Sequence, residues 1–389
     1  MRTQVVIIGG GPSGLLLAQL LLLSEIDCII LEKHTKEYVL SRVRAGVLEQ
    51  GTVDLLKKAG VHKRIKKEGF RHNGIFLSAK NNSFRIDFKN LVNKPVTVYG
   101  QTEVTTDLYS AREKSNGIIF NSANNVMPCD FNTKKPYVTF SHQGIEKKVF
   151  CDFIAGCDGF HGVSRQAIPK EKIKTSERVY PFGWLGILSE TPPVSDELIY
   201  ANHETGFALA SMRNKNLSRY YIQTSIKDKI ERWDDKKFWK ELKKRLPFEA
   251  AENLITGPSV EKSIAPLRSF VAEPMKFGSL FLVGDAAHIV PPTGAKGLNL
   301  AFSDVHYLHE SLKNYYKNNN KNAINYYSDR ALARVWKTIR FSWWMTKTLH
   351  KFPGQSSFDQ KIQEAELEYL ESSISSQTAL AENYVGLPF

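Results

Sequence analysis

TQVVIIGGGPSGLLLAQLLLLSEIDCIILEK, residues 3 to 33, reads as strand, glycine turn, helix and strand. An apolar run ends at Ile8, Pro12 suits the first turn of a helix, a leucine-rich segment follows, and a second apolar run covers Cys28 to Leu31. The turn carries glycine at positions 9, 11 and 14, the GxGxxG spacing, and Glu32 closes the second strand. Each glycine has a physical task. Gly9 permits the tight turn, Gly11 lets a pyrophosphate approach the backbone, and Gly14 lets helix and sheet pack closely, while the helix N-terminus presents a positive dipole end. An acid at the position of Glu32 suits a ribose 2′-hydroxyl. A purely structural glycine turn is the plainer reading, and this strand-turn-helix-strand-acid context weighs against it. The stretch predicts an ADP-containing dinucleotide without saying which.

The rest of the chain sets bounds. Its 389 residues, 42% hydrophobic and 24% charged, predict a globular protein of two or three domains. No signal peptide is expected, since strand-like sequence begins at Gln4, and Leu15 to Leu23 is too short to span a bilayer. Cys28, Cys129, Cys151 and Cys157 form no CxxC pair, which points to reduced thiols and a cytoplasmic location. The net charge of +13 comes largely from scattered lysines such as Lys57, Lys63, Lys236, Lys243 and Lys321. That pattern predicts a solvated surface that draws in anionic small molecules, with no nucleic-acid and no membrane partner. No HExxH, CxxC or GxxxxGK[ST] is present, so no metal site is predicted.

Two more segments repeat the strand-to-helix theme. FIAGCDGFHGVSRQAI (153–168) turns at Asp158-Gly159, and LFLVGDAAHIVPPTGAKGLNLAFSD (280–304) turns at Gly284-Asp285. Alone, either could be an ordinary Asp-capped turn. With the first motif, the three resemble the fingerprint set of the group A flavoprotein monooxygenases. That resemblance implies FAD, with Asp158 in the motif shared by FAD and NADPH, Asp285 on the ribityl chain, and the backbone from Pro292 to Asn299 against the flavin ring.

The middle of the chain changes character. The runs VYPFGWLGILSE, ELIYANH, GFALASMR and SRYYIQTS, between 179 and 225, predict an antiparallel sheet. A hairpin of 207–213 with 219–225, closed by Asn214 to Ser218, pairs Arg213 with Arg219 and Ser211 with Tyr221, all on one face. Opposed arginines repel unless an acid or a bound anion lies between them, and the segment offers no acid. A ligand carboxylate beside a Ser and a Tyr hydroxyl meets the need; two arginines splayed into solvent is the alternative.

Over nearly its whole length the chain resembles the para-hydroxybenzoate hydroxylase family. The segments that carry this include SRVRAGVLEQG (41–51), VTVYGQTEV (96–104), DFIAGCDGFHG (152–162), RVYPFGWLG (178–186), ELIYANH (197–203), EKSIAPLRSF (261–270), LFLVGDAAHIVPPTGAKGLNLA (280–301), RFSWWMT (340–346) and AENYVGLP (381–388). The resemblance implies a mixed α/β (α+β) fold: a Rossmann-like FAD-binding domain over 1–175, an antiparallel-sheet substrate domain over 176–279, and over 280–389 an FAD-contacting segment followed by a helical cap and interface region. The aromatic residues there, Trp336, Trp343 and Trp344, suit either a homodimer interface or plain core.

It also implies an activity, the hydroxylation of 4-hydroxybenzoate to 3,4-dihydroxybenzoate with NADPH and O2 through a flavin C4a-hydroperoxide. Arg213 with Ser211 and Tyr221 would bind the substrate carboxylate. Tyr200 would bond the phenol oxygen, Tyr384 would bond Tyr200, His72 would stand at the outer end of this proton chain, and Pro292 would offer its carbonyl to the reacting edge of the ring. FAD would be held by Gly9, Gly11, Ser13, Gly14, Glu32, Arg42, Arg44, Gln101, Asp158, Arg219, Asp285, Gly294, Leu298 and Asn299. NADPH would meet Lys33, His34, Tyr38, Arg44, His161 and Arg268. Lys33 and His34 favour a 2′-phosphate, but Lys33 lacks the guanidinium fork, so NADH use stays possible. Alternatives are a hydroxylase of another hydroxybenzoate, a flavoprotein halogenase or reductase, and a non-catalytic flavoprotein sensor. The Arg213, Tyr200 and Tyr384 set speaks against the halogenase or reductase; Gly9, Gly11, Gly14 and Asp285 speak against the sensor.

Overall fold

The computed structural model describes residues 1–42, 46–79 and 82–389. The opening stretch forms β1 (Val5–Ile8), α1 (Pro12–Leu23) and β2 (Cys28–Leu31), with the two strands parallel and in register from Val5↔Cys28 to Ile8↔Leu31. Every residue of both strands is buried, as a strand covered on both faces requires. Leu15, Leu16 and Leu17 of α1 are all fully buried, so this helix has no solvent face along that stretch; it is half-buried at Pro12 and Ser13 and exposed at Leu22 and Leu23.

Two large sheets organise the molecule. In the six-stranded sheet, β1 lies between β2 and the strand Phe153–Gly156, which in turn pairs in parallel with Leu280–Leu282. All three glycine loops therefore leave the same carboxyl edge of one parallel sheet, the edge at which open α/β sheets bind ligands.

The eight-stranded sheet is built from distant pieces. We label its inner strands β3 (Gly74–Ala79), β4 (Lys174–Ser189), β5 (Ile199–Asn202), β6 (Ala208–Asn214), β7 (Leu217–Ser225) and β8 (Ser259–Glu273), and they lie in the spatial order β8-β4-β7-β6-β5-β3. Asn82–Asp87 and His288–Ile289 form its two edges. Residues 74–87 thus join the strands of 174–273, and residues 276–282 join the six-stranded sheet, so the sheets do not follow the expected boundaries at 175 and 279.

Period two gives this sheet two chemistries. On one face Leu185, Ile187, Ala210, Tyr220 and Ile222 pack with Trp239 and Leu242 of α2 (Asp235–Arg245). On the other, Trp184, Tyr200, Phe207 and Leu209 pack with residues of α4 (Tyr327–Leu349), which follows α3 (Gly297–Lys317), and of α5 (Ser357–Ser372) and α6 (Ile374–Val385). Trp343 and Trp344 are partly buried against this second core, while Trp336 is exposed. Among the described residues no helix is long and apolar enough to cross a membrane.

Candidate active site

The first glycine loop shows why each glycine is there. Gly9 adopts φ +108°, and a Cβ on it would lie 2.3 Å from the Cys157 carbonyl oxygen. A Cβ on Gly14 would sit 2.0 Å from the Gly9 carbonyl oxygen, whereas one on Gly11 would meet nothing within 4 Å. That open space stands at the N-terminus of α1, whose first turn has no side-chain cap, so its N–H groups are available to a phosphate. Ser13 lies in this turn. Glu32 is buried, and its carboxylate accepts the Gly10 N–H at 2.6 Å and the His34 N–H at 2.8 Å. It shapes the loop first; each oxygen keeps a lone pair for a ribose hydroxyl.

The second and third loops are tied together. Asp158 accepts the Ser164 N–H at 2.8 Å, its Oδ1 is buried with no hydrogen-bond partner among the described residues, and burial raises its pKa. Arg165 donates to the Phe160 carbonyl of its own loop at 2.6 Å and to the Ala286 carbonyl of the third loop at 2.8 Å. Half-buried Asp285 lies in a short turn over Gly284–Ala286. Buried Asp304 secures that turn by accepting the Gly284 N–H at 2.8 Å and His288 Nε2 at 2.6 Å. The segment expected to wall the flavin makes another turn at Pro292–Gly294, with Pro292 exposed and Thr293 Oγ1 bonded to Thr346 Oγ1 of α4 at 2.9 Å. Leu298 is half-buried in the first turn of α3. The Asn299 side chain is committed elsewhere: it bonds the backbone of Val47, Glu49 and Ala295, so only its main chain can face a cofactor. Gln101 opens the helix Gln101–Lys114, exposed Arg42 donates to the Tyr38 hydroxyl at 3.1 Å, and Arg44 lies outside the described residues.

The residues expected at NADPH fall into two clusters. Lys33, His34 and Tyr38 are exposed, with the His34 and Tyr38 rings 4.2 Å apart. His161 and Arg268 meet around Phe160, His161 at 5.0 Å between ring centroids and the Arg268 guanidinium at 4.9 Å above the ring; Arg268 also pairs with Glu177 at 3.2 Å.

The candidate substrate site on the second sheet is written in its register. One row runs Ser263, Gly186, Tyr221, Leu209, Tyr200, Leu77 across six strands, so Tyr221 and Tyr200 point from one face with a single strand between them. The neighbouring row runs Glu261, Leu188, Arg219, Ser211. The hairpin corrects the expected pairing. Arg219 faces Ser211 and Tyr221 faces Leu209, because the turn is only Lys215-Asn216, two residues shorter on the second strand than expected. The register shifts between Met212 and Asn214, which leaves Arg213 as the extra residue of a β-bulge with no residue opposite it. The two arginines are therefore not directly opposed. The acid that the hairpin lacks comes from the strand beyond: Glu261 pairs with Arg219 at 2.9 Å, over Leu188.

Arg213 Nη1 stands 3.4 Å from Ser211 Oγ, and its Nε is buried with no hydrogen-bond partner among the described residues. Burial weakens its hold on its proton, Tyr221 opposes that, and the charge of Arg219 adds to it. A bound anion would offset both the burial and the repulsion from Arg219. At the other end the Tyr200 and Tyr384 hydroxyls are 2.7 Å apart and both fully buried, and burial pushes both pKa values up. Tyr384 is further fixed at its main chain: its carbonyl accepts Lys296 Nζ at 2.8 Å, and Lys296 also bonds Glu49 at 2.6 Å. His72 is buried, burial holds its pKa below the ordinary value, and neither ring nitrogen has a hydrogen-bond partner among the described residues. It has no direct bond to the tyrosine pair.

Sequence reading missed the aromatic wall of this pocket. Trp184 packs 5.1 Å from Tyr221 and 4.9 Å from Phe207, and His350 stacks on Phe207 and Phe182 at 4.3 and 4.8 Å. The His350 Nδ1–H donates to the Thr346 carbonyl, leaving Nε2 to accept the Trp184 Nε1–H at 2.7 Å. A protonated ring would set N–H against N–H, and burial brings the pKa down to about 3. The folded pKa is below the unfolded value of about 6.5, so this stability is present above about pH 6.5 and lost as pH falls toward 3. Between pH 6.5 and 5 unfolding free energy should fall by up to about 1.4 kcal/mol per unit in the native chain and stay flatter in His350→Gln, read by urea titration.

A glycine-lined dinucleotide cradle on one sheet, with a buried aromatic cluster bearing arginines at one end on the other, defines a flavoenzyme, and the FAD binding domain family model matches residues 2–342. The residues fit FAD: of the three fingerprint glycines in the first loop only Gly11 leaves open space, and Asp158 holds a buried oxygen with no hydrogen-bond partner among the described residues. Over 390 residues the sequence is 56% identical to p-hydroxybenzoate hydroxylase of Acinetobacter baylyi, covering 100% of this chain and 96% of that protein. The chain belongs to the p-hydroxybenzoate hydroxylase family of FAD-dependent monooxygenases. Solved structures agree on the fold. p-Nitrophenol 4-monooxygenase PnpA from Pseudomonas putida DLL-E4 superposes with a TM-score of 0.81 at 17% identity over 100% of both chains. OxyS anhydrotetracycline hydroxylase from Streptomyces rimosus gives 0.79 at 19% identity, over 100% of this chain and 77% of its own.

Proposed function

We propose that this chain hydroxylates 4-hydroxybenzoate to 3,4-dihydroxybenzoate, using FAD, NADPH and O2. The observation that carries this reading is the pair of chemically opposite ends on one sheet face: Arg213 with Ser211 and Tyr221 at one, the Tyr200–Tyr384 hydroxyl pair at the other. The two tyrosine strands are two spacings apart, about 10 Å, which suits one benzene ring carrying an acid and a para phenol.

FAD, when bound, supplies the activated oxygen. This chain's residues do the rest. Arg213 pairs with the substrate carboxylate through its fork, assisted by the Ser211 and Tyr221 hydroxyls. The substrate phenol passes its proton to the Tyr200 oxygen as Tyr200 passes its own to Tyr384. Because burial disfavours either tyrosinate, the pair conducts the proton without keeping the charge. Neutral His72 accepts it at the outer end, through a bridging water. Removing this proton makes the ring more electron-rich at the carbon beside the phenol oxygen, where the new hydroxyl goes. Pro292 directs its carbonyl to that edge, and the Trp184, Phe207 and His350 wall keeps water out. Lys33, His34 and Tyr38 receive the NADPH 2′-phosphate, with His161 and Arg268 on its pyrophosphate. Exposed Phe358, Ile362, Tyr369 and Ile374, on α5 and α6, provide apolar surface for a homodimer. The four free cysteines suit a cytoplasmic enzyme.

The test is NADPH oxidation by the purified flavoprotein in air, with and without 4-hydroxybenzoate, while product and peroxide are followed. The substrate should accelerate oxidation, with one 3,4-dihydroxybenzoate formed per NADPH consumed. Stimulation that yields only peroxide would point to a different aromatic acid, and no stimulation would sink the reading. In Tyr384→Phe, substrate affinity should stay within a few-fold while turnover drops about tenfold to a hundredfold.

A further inference from the structure

Arg219 lies one row from Tyr221 and is buried, so its charge belongs to the same low-dielectric space as that of Arg213. Left alone, the two would give the pocket two positive charges for one substrate carboxylate. Three contacts hold Arg219 instead. Its Nη1 pairs with Glu261 at 2.9 Å, its Nη2 donates to Ser263 Oγ at 3.2 Å, and its guanidinium packs 5.2 Å from the centre of the Tyr221 ring.

The sheet provides for this arrangement. Glu261 and Arg219 sit on one row with Leu188 between them, and both side chains are long enough to meet over it. Gly186 lies between Ser263 and Tyr221, and a Cβ there would fall 2.6 Å from the Tyr221 ring and 3.3 Å from Arg219 Nη2. The missing side chain leaves room for the tyrosine ring and the guanidinium to approach each other. Glu261 itself is partly exposed, with 36% of its side chain accessible, so it carries its charge at modest desolvation cost while Arg219 is 8% exposed.

We propose that Glu261 is a specificity-determining residue: it neutralises Arg219, leaving Arg213 as the net positive charge that this sheet face turns to the ligand, and so matching the site to a monoanionic aromatic acid. This rests on the reading that Arg213 binds the substrate carboxylate. Glu261 touches no substrate; it acts through Arg219. Ser263 shares the contact without changing the charge, which separates the electrostatic role from the mechanical one.

The test compares 4-hydroxybenzoate with its neutral isostere 4-hydroxybenzamide, reading dissociation constants of the FAD-loaded protein from the flavin absorbance change. The native pocket should prefer the acid. In Glu261→Gln that preference should grow about tenfold, because a second uncompensated cation favours the anion over the amide. Glu261→Asp, which keeps the charge, and Ser263→Ala, which removes only a hydrogen bond, should leave the ratio within about twofold of native. An unchanged ratio in Glu261→Gln, with the acid still bound, overturns the charge-setting role and leaves the Arg213 reading standing. The same increase in Ser263→Ala assigns the effect to the position of Arg219 and also overturns it. If the native protein binds the acid no better than the amide, both readings fall together.

Discussion

Arg213→Ala should raise the dissociation constant of 4-hydroxybenzoate by about two to three orders of magnitude while FAD stays bound. Removing one partner of a desolvated charge pair costs about 3–5 kcal/mol, and each 1.4 kcal/mol is a factor of ten. The fold should tolerate the change, because Arg213 is the extra residue of a bulge and its side-chain hydrogen bond to Ser211, at 3.4 Å, is long. Arg213→Lys keeps the charge but loses the two-pronged geometry, so its loss should fall between native and alanine. The measurement is a substrate titration followed in the flavin spectrum. An alanine variant that binds within fivefold of native would move the acid end of the substrate elsewhere in the pocket.

The second large effect separates two glycines three residues apart. Gly14→Ala drives a methyl group to 2.0 Å from the Gly9 carbonyl oxygen and 3.1 Å from Ile7, with backbone on the near side. Helix and strand would have to part, so this variant should lose more than about 4 kcal/mol of stability and be recovered, if at all, colourless. Gly11→Ala meets no protein atom within 4 Å, and Gly11 already has extended backbone at φ −73° and ψ −178°. Its apoprotein should melt within a few degrees of native, yet FAD affinity should drop at least a hundredfold because the methyl group occupies the pyrophosphate's place. Thermal melts and flavin titrations of both variants distinguish the roles. A Gly11→Ala protein that binds FAD normally would put the cofactor elsewhere.

The first cradle was legible because its chemistry is local. The turn at Gly9, the packing of Gly14 and the opening at Gly11 follow from φ values and contacts within about twenty residues or against the adjacent strand. The parallel pairing of β1 and β2 follows from the same stretch. The substrate sheet was legible as strands but not in register. A bulge at Arg213 and a two-residue turn at Lys215-Asn216 move the pairing without leaving a clear mark in the alternation of side chains, since a shift of two preserves which face each residue takes. That is why the face came out right and the partners wrong.

Long-range partners were invisible for a different reason. Glu261 is 42 positions from Arg219 and looks like any surface acid until strand order brings it across Leu188. The same holds for His350, whose Nε2 accepts a hydrogen bond from Trp184, 166 residues away. The family resemblance supplied names for Tyr200, Tyr384 and Arg213; it did not supply the hydrogen-bond geometry that fixes Tyr384 through Lys296 and Glu49.

The single strand between Tyr200 and Tyr221 makes the pocket a ruler graduated in hydrogen-bond spacings. Side-chain substitutions can trim its ends by a methyl group or a hydroxyl, but the interval between the two strands is set by main-chain pairing and comes only in steps of about 4.8 Å. Laboratory evolution toward a longer acid, with two or three carbons between ring and carboxylate, should therefore stall at point substitutions around Arg213. It should advance through changes that move the carboxylate-binding group to another row or strand, a discontinuous jump rather than a gradual drift.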